Sequence, residues 1–266
     1  MYKFGFIGCG NMGGALAVAT SKSGESLAVA DANTEKRNET AKALDATSLS
    51  NQELAQNCRF IVLGVKPQFL GAVLSEIAPV LKSRTDRFCI ISMAAGVSTK
   101  TICELAKGDY PVIRIMPNTP AEIGEGLILC TKNALVTDEE LSEFKRGFKS
   151  AGIIDEIEER LIDAASAISG CGPAFVYMFI EALADGGVKC GLPRDKAQMF
   201  AAKTVLGGGA MVLNTGRHPG LLKDAVCSPA GSTIEGVNAL ENSGFRAAVI
   251  DAVSASFERT VELGKK

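Results

Sequence analysis

Histidine is almost absent from this chain, whose 266 residues include a single one, His218. A catalytic triad and a metal site built from several imidazoles both need more histidine than this. We therefore predict no bound metal. We interpret His218, which lies in the run GRHPG, as a residue that orders a turn rather than as a catalytic base.

Blocks of like charge and long apolar runs are missing as well. The chain has 28 basic and 30 acidic residues, which are interspersed and leave a formal net charge of −2. No basic block favours nucleic acid or an anionic membrane as a partner. Unbroken apolar stretches stay well under the ~18 residues of a membrane span, and a strand predicted from Tyr2 leaves no room for a signal peptide. We predict a soluble cytoplasmic protein with no nucleic-acid or membrane partner.

Cysteine pairs with the spacing of a zinc or redox site are also missing. The eight cysteines are scattered along the chain, and several lie in apolar runs such as FCIISMAAGV. This distribution predicts reduced, buried thiols. A hydrophobic content of 47% is enough to bury a large core, in one large domain or two smaller ones.

The first twenty residues, MYKFGFIGCGNMGGALAVAT, predict a strand, a turn and a helix of small residues. Gly8, Gly10 and Gly13 match the pattern G-x-G-x-x-G, in which the glycines allow a tight turn, close approach to a pyrophosphate and close packing of helix on strand. The pyrophosphate would lie at the helix N-terminus, which favours an anion. A second predicted strand, SLAVAD, follows, and this context favours a dinucleotide site over a glycine-rich turn in some other α/β fold.

Asp31 ends the second predicted strand and leaves the choice of nucleotide open. An acid at this position binds the ribose 2′-hydroxyl of NAD in many dinucleotide-binding folds. The residues that follow, Asn33, Thr34, Lys36 and Arg37, carry donors that suit the 2′-phosphate of NADP. We expect NADP or NAD as the cofactor, without a stated preference.

Further apolar segments alternate with helices, as in an α/β domain with a parallel sheet. We predict strands within 59–67, 87–97, 111–120, 125–130 and 152–159, and a helix over 138–150. Ligands bind at the carboxyl ends of the strands in such sheets. Those ends carry Lys66, the Ala94–Val97 turn and the Met116–Pro120 loop, each of which is either a cofactor contact or simple turn chemistry.

The C-terminal part of the chain lacks strand signals after Glu159 and predicts long helices, at 169–193, 193–216 and 244–264. The run Gly207–Gly209 within the second helix predicts a close helix contact or a kink. These helices are apolar on more than one face, so we expect them to pack against a second copy. The predicted architecture is α/β, with a Rossmann dinucleotide-binding domain at 1–158 and an all-α dimerisation domain at 159–266.

The segment KDAVCSPAGSTIEG, at 223–236, predicts a tight loop that leads into a helix. Free N–H groups at that helix N-terminus would suit a small anion such as a carboxylate. The alternative is an ordinary N-cap, in which Ser232 or Thr233 caps the helix.

Together these segments resemble the pyrroline-5-carboxylate reductase family over nearly the whole chain, from residue 3 to about 264. The resemblance is carried by GFIGCGNMG, VLGVKP, SMAAGV, MPNTP, SGCGPAF, EALADGGVKCGLPRDKA, HPGLLKDAVCSPAGSTIEGVNALE and GFRAAVIDAV. It implies hydride transfer from NAD(P)H to the C=N bond of L-1-pyrroline-5-carboxylate, which gives L-proline in the last step of proline biosynthesis. It also implies a homodimer through the C-terminal helices, with a decamer of five dimers as one larger assembly.

The resemblance also implies a set of site residues. Thr233 is implied to lie by the ring nitrogen as the catalytic residue, in a substrate loop with Ser228, Gly231 and Ser232, and Glu159 is implied to lie near the substrate. The residues expected at the cofactor are Gly8, Cys9, Gly10, Asn11, Met12, Gly13, Asp31, Asn33, Asn51, Val65, Lys66, Pro67, Ala94, Ala95, Gly96 and Asn118. A protonated cyclic imine is already an electrophile, so the site needs orientation more than a strong acid.

The chain departs from the family pattern at a few positions. Ala230 replaces a glycine of the substrate loop, which would cost about 1 kcal/mol if φ is positive there. Cys171 and Ala225 replace a serine and an asparagine, and Asp31 is followed by Ala32 instead of an Asn-Arg pair. Two other readings stay open: a β-hydroxyacid dehydrogenase, although Lys189 comes too late for its catalytic lysine, and a nucleotide sensor without catalytic activity.

Overall fold

The computed structural model describes residues 1–264, which form two compact units. The first unit comprises Met1–Cys171 and the end of the chain from Ser256, and the second comprises Gly172–Ala255. The predicted domain boundary at 158/159 lies just after the last strand, which ends at Glu156. The domain boundary at 158/159 stays a prediction.

The first unit contains one eight-stranded sheet with helices between the strands. Its strand order is β3-β2-β1-β4-β5-β6-β7-β8. The strands are β1 (Tyr2–Ile7), β2 (Leu27–Ala30), β3 (Thr47–Ser48), β4 (Cys58–Leu63), β5 (Cys89–Ser92), β6 (Val112–Met116), β7 (Gly126–Lys132) and β8 (Gly152–Glu156). All neighbouring strands pair in parallel except β6 and β7, which pair antiparallel.

Seven whole helices of the described residues belong to this unit, most of them connecting successive strands. They are α1 (Asn11–Ser21), α2 (Thr34–Leu44), α3 (Asn51–Asn57), α4 (Pro67–Ser83), α5 (Thr99–Ala106), α6 (Asp138–Phe148) and α7 (Ile162–Ser169). Short 3₁₀ turns lie at Thr119–Ile123, Lys149–Ala151 and Glu159–Leu161. The parallel strands and connecting helices confirm the predicted Rossmann architecture of the N-terminal part.

Both faces of the sheet are buried, which explains why the sequences of its strands are continuous apolar runs. Successive side chains of β1 point to opposite faces. Phe4 and Phe6 pack with Phe60, Phe144 and Phe148 in one core cluster. Residues of the other face, among them Ile7, Ile61, Leu63, Leu70 and Leu74, form a second cluster. The two clusters hold the sheet in place and so determine the positions of its strand ends.

An ion-pair cluster lies near the amino ends of β1, β4 and β5. The Glu143 carboxylate lies 2.7 Å from Lys3 Nζ and 3.1 Å from Arg59 Nε. Glu140, whose side chain is 2% exposed, lies 2.8 Å from Arg87 Nε. Burial alone would raise the pKa of both carboxyls, but hydrogen bonds from these cations outweigh it and hold each pKa below its ordinary value.

The second unit is helical throughout, as predicted. It contains α8 (Gly172–Lys189), α9 (Arg194–Thr215), α10 (Pro219–Ala225), α11 (Ser232–Asn242) and most of α12 (Phe245–Gly264). Its own buried apolar cluster is small and consists of Ala184, Ala197 and Ala201, with Ile180 and Val188 against it.

Many large apolar side chains of this unit are exposed in a single chain. Leu213 is 73% exposed, Met178 69% and Ile250 64%. The stretch Glu159–Lys189 has the length and apolar composition of a membrane span, by these two measures only, and few of its residues are buried. The run Gly207–Gly209 lies within the continuous helix α9, and a Cβ at each glycine would meet no atom of the described residues within 4 Å.

Burial of the cysteines is uneven. All eight thiols are free; Cys9, Cys58, Cys89 and Cys130 are buried, whereas Cys190 is exposed. Burial raises the pKa of Cys9 to about 11 and the pKa of Cys58 and Cys130 to about 12. It raises the pKa of Cys89 further still. The buried thiols are therefore protonated and unreactive in the folded chain.

Candidate active site

The glycines of the first turn bring β1, α1 and β4 into close contact. The strand order reverses direction between β1 and β4, which is where ligands bind in such sheets. A Cβ on Gly13 would lie 2.1 Å from the Gly8 carbonyl oxygen, and one on Gly64 would lie 2.6 Å from the same oxygen. Gly8 itself has a φ of 100°, which glycine adopts without strain. Only glycines allow this packing.

Gly10 has a different role, because a Cβ there would meet no atom within 4 Å. The first N–H groups of any α-helix lack an intrahelical acceptor. Gly10 is the N-cap of α1 and has no side chain to cap them, so these N–H groups are uncapped. Open space in front of uncapped N–H groups fits a pyrophosphate. The residues of this turn therefore suit the dinucleotide that the sequence predicts.

A cavity of about 560 Å³ lies at this end of the sheet. It is lined by three segments of the predicted cofactor set, Gly10–Met12, Val65–Pro67 and Ala95, and by Lys36, Gly64, Met93, Met116 and Pro117. A neighbouring cavity of about 420 Å³ shares Gly10–Met12 and Lys36 and adds Cys9. The structure thus brings together residues that follow β1, β4, β5 and β6.

Asp31 holds the glycine turn in place. Its Oδ2 accepts a hydrogen bond of 2.7 Å from the Cys9 N–H, and its Oδ1 accepts one of 2.8 Å from the Asn33 N–H. Asn33 in turn caps α2, because its Oδ1 accepts from the Lys36 N–H at 3.0 Å. Lys36 lines both cavities, and the neighbouring Arg37 has a buried Nε without a hydrogen-bond partner within residues 1–264.

Asn51 and Asn118, two other predicted cofactor residues, line neither of these cavities and make hydrogen bonds to the protein instead. The Asn51 side-chain amide donates to Glu76 Oε2 at 2.8 Å and joins α3 to α4. The buried Asn118 donates to the Ser169 carbonyl at 3.0 Å and accepts from the Leu127 N–H at 2.9 Å. Ala94 is buried, and Gly96 forms the turn before α5 with a φ of 72°.

Glu159 lies in the 3₁₀ turn after the last strand, and its carboxylate contacts the start of α5. Its Oε1 accepts from the Thr99 N–H at 2.7 Å, and its Oε2 accepts from the Thr99 hydroxyl at 3.0 Å. Arg114, which is 3% exposed, approaches the same carboxylate at 3.7 Å. The proximity of Glu159 to a substrate stays a prediction.

The predicted substrate loop belongs to the second unit. The Gly231 N–H donates to the Ser228 carbonyl at 3.0 Å, which closes a turn around Pro229 and Ala230. Gly231 is the N-cap of α11 and makes no side-chain cap, so Ser232 and Thr233 are the first two helical residues and not the cap. A Cβ on Gly231 would lie 2.3 Å from Ser228 Oγ. The loop therefore presents exposed hydroxyls and uncapped N–H groups.

Sequence reasoning left out Gly64, Met93 and Arg114 as functional residues. Gly64 lies in the quoted motif VLGVKP, and its need for close approach to Gly8 becomes evident only when β1 and β4 are known to be neighbours. Arg114 interrupts the apolar strand PVIRIM, and a charge inside a buried strand is a signal that it has a partner.

Known proteins match the chain along its whole length. The family model described as pyrroline-5-carboxylate reductase dimerisation matches residues 159–263, and the one described as NADP oxidoreductase coenzyme F420-dependent matches 3–96. The pyrroline-5-carboxylate reductase of Escherichia coli (strain K12) is 42% identical over 268 residues, which cover 99% of this chain and 98% of that protein.

Two solved structures are similar throughout. The Plasmodium falciparum pyrroline carboxylate reductase with NADP bound is 36% identical with a TM-score of 0.87, and the match covers 99% of this chain and 98% of that one. The 1-pyrroline-5-carboxylate reductase of Streptococcus pyogenes is 33% identical with a TM-score of 0.88, and the match covers 98% of both chains.

Proposed function

The chain belongs to the pyrroline-5-carboxylate reductase family, and we propose that it reduces L-1-pyrroline-5-carboxylate to L-proline with NADPH or NADH. The observation that carries the proposal is the full-length identity of 42% to a reductase of that name. A glycine-built nucleotide cleft and an intact substrate loop in the same chain agree with it. We place the reaction in the cytoplasm, as the last step of proline biosynthesis.

In this proposal the first unit holds the nucleotide. The Gly10–Met12 turn receives the pyrophosphate, and Lys66, Ala95 and Met116 form walls of the cavity. When bound, the dihydronicotinamide supplies a hydride. Asp31 keeps the turn in shape through its two backbone hydrogen bonds, while Lys36 offers a cation to a 2′-phosphate. The preference between the two nucleotides stays open.

The loop Ser228–Thr233 holds the substrate. The uncapped N–H groups at the start of α11 suit its carboxylate, because a helix N-terminus favours an anion. The Thr233 hydroxyl hydrogen-bonds the ring nitrogen and fixes the face that accepts the hydride. The protonated C=N bond takes the hydride at carbon, and its π electron pair moves to nitrogen, which leaves the neutral amine of proline. The chain needs no strong acid for this step, because the proton is already on the nitrogen.

We propose that the functional form is a homodimer through the helices of the second unit. The family model for dimerisation and the exposed apolar side chains of α8, α9 and α12 support it. The open space around Gly207–Gly209 leaves room for a helix of another copy to approach closely. A decamer of five dimers is the larger assembly that we propose on the family resemblance.

The first test is the absorbance at 340 nm of the purified protein with L-1-pyrroline-5-carboxylate and either nucleotide. We expect oxidation of NADPH or NADH, and the ratio of the two rates gives the preference. Protein that binds nucleotide but oxidises neither would contradict the proposed reaction and favour a nucleotide sensor.

The Thr233→Ala variant tests the role of the substrate loop. We expect turnover to fall roughly 10²-fold, as for the loss of one positioned donor, while nucleotide affinity is unchanged. Thr233→Ser, which keeps the hydroxyl, should retain most of the activity. Thr204→Ala removes a hydroxyl that bonds the Phe200 carbonyl within α9 and serves as the matched control. Equal loss of turnover and nucleotide binding in Thr233→Ala would exclude this role.

A further inference from the structure

Arg114 is a buried cation held between two carboxylates. It lies on β6, and its side chain is 4% exposed. One terminal nitrogen lies 2.5 Å from Asp163 Oδ1, and the other lies 3.7 Å from Glu159 Oε1. Its Nε has no hydrogen-bond partner among residues 1–264. A buried guanidinium requires such partners, because an unpaired charge in the interior is strongly unfavourable.

Glu159 links this cation to the start of α5. Thr99 is the first residue of α5, and its N–H is one of the helix donors without an intrahelical acceptor. The Glu159 carboxylate accepts from that N–H and from the Thr99 hydroxyl, at 2.7 and 3.0 Å. A carboxylate at this position also interacts favourably with the helix dipole. Both carboxylate oxygens are therefore engaged with protein groups.

The two residues join two walls of the nucleotide cavity. Thr99 follows the loop that carries Met93 and Ala95, and Arg114 lies two residues before Met116 on β6. The loop beyond Ser92, where the pairing of β5 with β6 ends, bonds the backbone of β4 and not that of β6, through the Met93 N–H and the Leu63 carbonyl at 3.4 Å. The pairing of Glu159 with Thr99 and Arg114 connects that loop to β6 instead.

We propose that Glu159 and Arg114 are positioning residues that hold the Met93–Ala95 loop and the end of β6 at the separation the nicotinamide nucleotide needs. Glu159 acts through Thr99 and not by touching the imino acid. The inference rests on the proposed function for the identity of the nucleotide. Loss of the Glu159 charge leaves Arg114 paired with Asp163, so the variants below keep a partner for the buried cation.

A double-mutant cycle on nucleotide affinity tests the proposal. The variants are Glu159→Gln, Thr99→Val and the two combined, with the Kd for NADPH measured by fluorescence in the absence of substrate. We expect each single variant to raise Kd about tenfold and the double variant to raise it by less than the product of the two effects, because both weaken the contact between Thr99 and Glu159. Thr99→Ser, which keeps the hydroxyl, should bind NADPH like the wild type. The matched control is Glu158→Gln, which alters an exposed neighbouring carboxylate that pairs with Arg160.

Steady-state kinetics separate positioning from substrate contact. If Glu159 is a positioning residue, its variants keep a KM for pyrroline-5-carboxylate within about twofold of the wild type and an unchanged unfolding temperature, while their Kd for the nucleotide rises. A raised KM for the imino acid with unchanged nucleotide Kd would overturn the proposal, as would additive effects in the cycle. If the variants show the coupled change in nucleotide Kd but the wild type has no reductase activity, the proposed function is contradicted and the positioning role stands.

Discussion

Ala230 has a backbone conformation that favours glycine. Its φ is 56°, and the other two non-glycine residues with positive φ among residues 1–264, Asp45 and Lys107, lie at helix C-termini. It occupies the third position of the turn closed by the Gly231 N–H and the Ser228 carbonyl. That position of a turn with positive φ is usually glycine. The sequence predicted a cost for alanine at position 230 if its φ is positive, and the structure shows that φ is positive.

Ala230→Gly should therefore stabilise the protein. Relief of the left-handed strain is worth about 1 kcal/mol in the free energy of unfolding, less the added freedom of glycine in the unfolded chain. Urea denaturation measures the change. Ala239→Gly, in the exposed part of α11, is the matched control and should destabilise by a similar amount. A midpoint that falls as much for Ala230→Gly as for Ala239→Gly would show that the turn is not strained.

At this scale the sequence identified the types of residue better than their contacts. Gly8, Gly10 and Gly13 were predictable because a spacing motif states what each glycine allows. The hydrogen bonds of Asp31 to Cys9 and of Asn118 to Ser169 were not, because each joins residues distant in the chain. The same is true of the contact between Glu159 and Thr99, which are 60 residues apart.

Among the elements, most strands were predictable, but the direction of β7 and the presence of the two-residue β3 were not. The apolar runs that form β4, β5 and β6 show where strands lie, since both faces of the sheet are buried. A parallel sheet was expected, but β7 runs antiparallel to β6, because the short turn at Thr119–Ile123 allows the chain to reverse direction. The two residues of β3 are too few to give a pattern.

Helix α6 gives the clearest element-scale prediction, through Glu140. The lowered pKa of this carboxyl means that its ionised form stabilises the fold. Glu140→Gln should lower the free energy of unfolding by about 2 kcal/mol at pH 7, since it weakens charged hydrogen bonds to Arg87 and Thr137. The stabilisation is fully present above the ordinary glutamate pKa and is lost as pH falls through the lowered pKa of the folded state.

The measurement is urea denaturation of the wild type and Glu140→Gln between pH 7 and pH 3. We expect the two proteins to differ most at pH 7 and to converge as the pH falls through the lowered pKa of Glu140. Glu139→Gln changes an exposed neighbour in the same helical turn and should differ little from the wild type at any pH. A pH-independent difference would mean that the Glu140 charge contributes nothing.

For the whole molecule, the distribution of buried apolar surface sets the expected assembly. The first unit has two large core clusters, whereas the second has one cluster of three buried alanines. A monomer would leave a large apolar surface in water, which is unfavourable. The sequence predicted this from helices apolar on several faces, but it could not show which side chains lack cover.

Ile250→Arg tests the assembly. Ile250 is 64% exposed on α12, and a charge buried in a dimer interface would prevent association. Sedimentation velocity should show the wild type as a dimer or a larger species and the variant near the 27.8 kDa of one chain. Ile153→Arg, at a residue of the first unit that is 58% exposed, is the matched control and should leave the mass unchanged. A dimeric Ile250→Arg protein would place the interface elsewhere.

The buried thiols described above make the folded molecule a reporter of its own fluctuations. Cys58, Cys89 and Cys130 lie in β4, β5 and β7, where protonation and burial both prevent reaction with a thiol reagent. Each can be labelled only when its part of the sheet opens, so its labelling rate measures the opening free energy at that place. The exposed Cys190 reacts without any opening and supplies the reference rate. Binding of nucleotide should slow the labelling of Cys9, which lies inside the glycine turn, without any probe having been introduced.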